Sequence, residues 1–155
     1  MLPPEDVQSY PRPPRLEPAG ARLRVIWDGA TIAETDRGWR VLETHHAPTY
    51  YLPREDVTPG ALRPARGRSV CEWKGTASYL DVLLGGKALP RAAWTYEAPT
   101  RRFREIAGAV AFYAGALECW VGETKVIPQP GDFYGGWVTP NLSGIVKGGP
   151  GTEGW

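Results

Sequence analysis

Glycine and proline punctuate this chain from end to end, 19 and 16 of them in 155 residues. Glycine opens backbone conformations that other residues avoid, and proline fixes φ and removes a donor. A chain interrupted this often favours short strands joined by turns over long helices. Seven tryptophans, seven tyrosines and an apolar content of 42% supply material for a core. The expected class is mostly β, with about one domain for this length.

Charge is nearly balanced, 18 Lys and Arg against 17 Asp and Glu. A dedicated nucleic-acid binder carries a basic excess, so the balance argues against that partner. No apolar run approaches the roughly 18 residues of a membrane span. Met1 to Asp6 lack the basic and apolar stretches of a secretory signal. Two cysteines, Cys71 and Cys119, cannot form a disulfide scaffold and fit a reducing, cytoplasmic setting. There is no CxxC pair, and His45-His46 with two distant cysteines match no zinc-finger spacing. The expectation is a cytoplasmic protein with no metal, no cofactor and no membrane partner. A homo-oligomer stays open.

Three segments follow from the pattern. Residues 1–20 hold six prolines and read as an extended arm. Residues 21–127 read as the β-rich domain. Residues 22–42 suggest a three-stranded meander, with Asp28-Gly29 at its first turn and Gly38 closing the second. Strands are expected at 48–52, 69–73, 77–84, 92–97, 109–113, 117–121 and 124–127, and an irregular loop at 58–68. One helix is expected over about 99–108, from Pro99 and the spacing of Phe103, Ile106, Ala107 and Val110. Residues 128–155 are rich in glycine and proline but carry Phe133, Tyr134, Trp137 and Trp155. A free linker has no use for such side chains, so this tail is expected to wrap the domain and dock through its aromatics.

Particular residues carry a resemblance. Pro48-Thr-Tyr-Tyr-Leu-Pro53-Arg-Glu-Asp-Val57, Cys71-Glu-Trp-Lys74-Gly75-Thr-Ala77-Ser78-Tyr79 and Trp94-Thr-Tyr96-Glu97-Ala-Pro99 follow in order. Ile106-Ala-Gly108 and Ala111-Phe112-Tyr113 come next. Together they resemble the bacterial domain-of-unknown-function family 427 over about residues 22–125. The Gly- and Trp-rich tail resembles an extension found in part of that family. The resemblance implies two antiparallel sheets in a β-tent-like arrangement. Proteins of that fold often pin it with zinc on two CxxC pairs. Those pairs are missing here, so packing must hold the fold. A nucleotidyltransferase label is also attached to the family in places. That chemistry normally needs metal ions held by paired carboxylates. The chain has no Asp-x-Asp, and Gly75-Thr-Ala-Ser78-Tyr-Leu-Asp81 echoes the usual start with a single acid.

Two residues are candidates for catalysis without a metal, Cys71 as nucleophile and Lys74 as general acid or base. On a strand, Cys71 and Trp73 would share one face and Glu72 and Lys74 the other. Cys71 also reads as a small buried apolar residue, as free cysteine usually does. A ligand-binding set is more extensive. Tyr51, Tyr79, Trp94 and Tyr96 offer flat walls with polar tips. Arg54 and Lys74 add cationic donors, and Asp56 and Glu97 add acceptors. These types suit a small polar ligand carrying an anionic group or a ring. The expected function is therefore a small-molecule binding module. Its rivals are an enzyme using Cys71 or Lys74, nucleotidyl transfer, and a protein-interaction module built on the aromatic tail.

Overall fold

The computed structural model describes residues 2–131, 134–149 and 152. Its strands, in chain order, are β1 (Glu5–Asp6), β2 (Arg15–Pro18), β3 (Leu23–Trp27), β4 (Ala30–Thr35) and β5 (Trp39–Leu42). Then come β6 (Thr49–Tyr51), β7 (Leu62–Cys71), β8 (Gly75–Leu84), β9 (Lys87–Thr95) and β10 (Val110–Phe112). The last are β11 (Glu118–Val121), β12 (Thr124–Lys125), β13 (Ile127–Pro128), β14 (Trp137–Val138) and β15 (Leu142–Ser143). The protein is mostly β, with several antiparallel sheets and no closed barrel. Two sheets have four strands, in the orders β12-β11-β3-β4 and β10-β9-β8-β7. A third is β2-β5-β6, and β13-β14 and β1-β15 are short ribbons. No helix among the described residues is long and apolar enough to cross a membrane.

The β3–β4 hairpin turns at Asp28-Gly29, both with positive φ (50° and 78°), the conformation a two-residue turn of this hand requires. The expected meander stops there. β5 leaves for the third sheet, between β2 and β6. The corner is tied sideways: Thr35 Oγ1 accepts the Arg37 N–H at 2.9 Å and donates to Asp56 Oδ2 at 2.6 Å. Gly38 then passes close to Leu23 and the Tyr51 carbonyl, where a Cβ would lie 3.3 Å from that oxygen. The N-terminal arm enters the same sheet as its edge strand β2, a position that tolerates proline.

Two further expectations differ from the structure. The stretch 58–68 is not all loop, because β7 begins at Leu62 and shifts register between Pro64 and Arg68. It is an edge strand with its first residues largely exposed, so no apolar alternation marks it. The helix expected over 99–108 is only a 3₁₀ segment, Arg101–Ile106, kinked at Phe103. Six residues are too few to repay α-helix nucleation. The Gly108 N–H also returns to the Tyr96 carbonyl at 3.0 Å, pulling the chain back to the sheet. Phe103 and Ile106 are both fully buried, which the i, i+3 repeat of a 3₁₀ turn allows.

The β10-β9-β8-β7 sheet is apolar on both faces. Period-two alternation sends Leu80, Val82, Ala93 and Phe112 to one cluster with Leu23, Val25 and Cys119. It sends Ala77, Tyr79, Trp94 and Ala111 to the other, with Tyr51, Phe103 and Ile106. The second face is the aromatic one.

The tail is part of this packing. Trp137 is buried in the first cluster, and its indole N–H donates to the Phe112 carbonyl at 2.8 Å. β15 pairs in parallel with β1, joining the tail to the N-terminal arm. Phe133 and Trp155 lie outside the described residues.

Candidate functional site

The β7–β8 hairpin closes on the pair Cys71 and Gly75, so Glu72, Trp73 and Lys74 form a turn rather than continuing a strand. Gly75 has φ 110°, a conformation that selects glycine. The turn is anchored. The Thr100 N–H donates to the Lys74 carbonyl at 2.9 Å, and the Thr100 hydroxyl to the Trp73 carbonyl at 2.6 Å. This fixes the lysine beside the aromatic face, with Nζ 5.9 Å from the centre of the Tyr96 ring.

Between this turn and that face lies a cleft of about 410 Å³. Tyr51, Cys71, Lys74, Tyr79, Trp94 and Tyr96 border it. The rings form a continuous wall. Tyr51 meets Trp94 edge-on at 6.5 Å and Tyr96 at 6.3 Å, and Trp94 packs 4.6 Å from Tyr113. The Tyr79 hydroxyl donates to Ser69 Oγ at 3.2 Å.

Among the described residues, three polar groups of this cleft lack ordinary partners. The Tyr51 hydroxyl is fully buried and makes no hydrogen bond of standard geometry among the described residues. Burial pushes its pKa upward, and the Trp94 indole N–H, a weakly aligned donor toward that oxygen, opposes the shift. Burial raises the Tyr96 hydroxyl likewise, with Lys74 acting against it. Among the described residues no group accepts or donates a hydrogen bond at that hydroxyl, and no carboxylate pairs with Lys74. An unmet buried hydroxyl costs about 1–3 kcal/mol, so a fold that retains one calls for a reason.

Arg54, Asp56 and Glu97 are placed elsewhere. Arg54 bridges Glu97 at 3.1 Å and donates to the Gly108 carbonyl at 3.0 Å. Asp56 is taken by Thr35 and Arg37. Among the cleft residues outside the expected set are Glu43, His46, Tyr113 and Tyr134. Tyr113 belongs to the Ala111-Phe112-Tyr113 motif, which was a usable signal. Tyr134 reaches the cleft from the tail, which no local pattern announces.

His46 sits at the rim, with Nδ1 3.0 Å from the Thr44 carbonyl. A carbonyl only accepts, so Nδ1 carries the proton. Burial lowers its pKa from the ordinary 6.5, and Lys147 and Lys74 push the same way, against Glu43 and the Thr44 contact. The native state therefore binds less proton than the unfolded chain, and the stability it contributes is present above the ordinary histidine range and lost as pH falls through the native pKa. Thermal unfolding between about pH 7.5 and 5.5 should show the midpoint falling on acidification. His46→Gln should flatten that slope. An unchanged slope would mean His46 does not set it.

Among the described residues no three of His, Cys, Asp or Glu converge as metal ligands. A paired-acid Glu-x-Asp, which the search for nucleotidyltransferase acids passes over, does occur at Glu34-Thr35-Asp36, but both acids are engaged: Arg22 bridges Glu34 at 3.1 Å and Asp36 at 2.8 Å. Asp81 accepts from Arg63 and the Arg91 N–H. A family model described as a domain of unknown function (DUF427) matches residues 15–123. That span carries the cleft residues except Tyr134. No curated protein matches the chain.

Proposed function

The chain belongs to the DUF427 family, whose description assigns no activity, and from the cleft itself we propose that this protein binds a small polar ligand. The ligand presents an oxygen, from a carbonyl, carboxylate or phosphoryl group, to Lys74 and the hydroxyls of Tyr51 and Tyr96. Its body lies against Trp94 and Tyr79. Such a site matches the usual make-up of ligand pockets, apolar walls with a few convergent polar groups.

The observation that carries the reading is the buried Tyr51 hydroxyl, which has no well-aligned hydrogen-bond partner among the described residues. A hydroxyl kept for stability would be hydrogen-bonded. One kept for a ligand pays its desolvation until the ligand arrives. The two cases separate on Tyr51→Phe. Removing an unmet buried hydroxyl is neutral or stabilising, so urea unfolding of the free variant should show a gain of up to about 1 kcal/mol. A loss of stability in that variant would count against the proposal.

A further inference from the structure

A second pocket, of about 750 Å³, shares Tyr79 and Tyr113 with the first. Its walls are small and apolar, including Leu89, Pro90, Ala114, Pro128 and Pro130. Arg91 is the charged residue on its lining.

Three features hold Arg91 in place. Its guanidinium lies over the Tyr79 ring, 4.2 Å from the centre. Its backbone adopts φ 50°, a left-handed conformation that non-glycine residues rarely take. The Arg91 N–H donates to Asp81 Oδ1 at 2.9 Å, which secures that conformation. Gly67 makes room alongside, since a Cβ there would lie 2.9 Å from Nη1. The Asp81 carboxylate does not neutralise the guanidinium, because its other oxygen takes two donors from Arg63, at 2.7 and 3.1 Å. Among the described residues no carboxylate pairs with the Arg91 side chain.

A stacked guanidinium keeps its planar fork of donors pointed outward and has little freedom left to lose. Such a fork matches a carboxylate or a phosphate in two parallel hydrogen bonds. We propose that this pocket is a second binding site, for a small molecule with an apolar body and an anionic head. The head is held by Arg91, and the body lies against the proline and alanine wall. The site does not depend on the ligand of the first cleft.

The test titrates the full chain, labelled with ¹⁵N, following the backbone amides of Leu89, Ala92 and Ala114 in every variant and, in the chains that retain it, the Arg91 Nε–H resonance. The probes are benzoate, inorganic phosphate (a head without a body) and benzyl alcohol (a body without a charge). Benzoate should shift that resonance saturably, and each control should bind at least about tenfold more weakly. Arg91→Gly suits the left-handed backbone, so it should fold and lose benzoate binding tenfold or more. Arg91→Lys keeps the charge but not the fork and should lose most of it. Lys74→Ala should keep it, which separates this site from the first cleft. Benzoate binding that is unchanged in Arg91→Gly, or no shift at Arg91 in the wild type, would overturn the proposal.

Discussion

Trp137→Ala should lower the unfolding free energy by about 3–5 kcal/mol, the range for deleting a buried aromatic side chain. Trp137 is only 1% exposed and lies 5.2 Å from the Tyr50 ring. It is also hydrogen-bonded twice, its indole N–H to the Phe112 carbonyl and its backbone N–H to the Pro48 carbonyl, both at 2.8 Å. Alanine keeps the backbone bond, deletes the ring and leaves the Phe112 carbonyl short of a donor. The loss is a large fraction of a typical domain's 5–15 kcal/mol. Urea unfolding followed by circular dichroism measures it. Trp137→Phe, which fills most of the space, should cost clearly less. A loss below about 1 kcal/mol in Trp137→Ala would show that the tail is not part of the core.

Gly135→Ala should cost about 2–4 kcal/mol, combining the left-handed penalty with overpacking. The backbone there has φ 69°. A Cβ would overlap the edge of the Trp94 ring, 2.8 Å from Cζ3, and lie 3.2 Å from Tyr113 Cε1. Both rings border the cleft, so the change should reach it too. Near-ultraviolet circular dichroism should report the displaced Trp94, and urea unfolding the lost stability. Gly115→Ala is the control, because a Cβ there meets nothing within 4 Å. Equal effects at the two glycines would contradict the close approach of the tail to Trp94.

The mostly β class was legible because glycine and proline recur too often for long helices. The β3–β4 hairpin was legible because Asp-Gly states its own turn. Lys74, Tyr79, Trp94 and Tyr96 could be grouped because each stands in a motif of the family, and the hairpin turn and strand alternation bring them to one face. Alternation does not show where a chain leaves its sheet, so the departure of β5 was hidden. Arg54, Asp56 and Glu97 stood beside aromatic motif residues in sequence. The turn after β6 carries Arg54 and Asp56 away, and each of the three found a nearby partner of opposite charge. Tyr134 depends on a tail that returns across the whole domain. The left-handed backbone of Arg91 leaves no trace in residue type.

The central claim is that the cleft beside Lys74 binds a small ligand. Thermal shift against carboxylates, nucleotides and sugars identifies the compound that stabilises the protein most, since a ligand of the native state must raise its apparent stability. Calorimetric titration of that compound then compares wild type, Lys74→Ala and Arg54→Ala. Loss of a charge-assisted hydrogen bond is worth about 1.5–3 kcal/mol. Affinity should therefore fall roughly ten- to hundredfold in Lys74→Ala. It should hold in Arg54→Ala, whose guanidinium is engaged outside the cleft. Equal affinity of wild type and Lys74→Ala, or a panel in which nothing stabilises the wild type, would contradict the account.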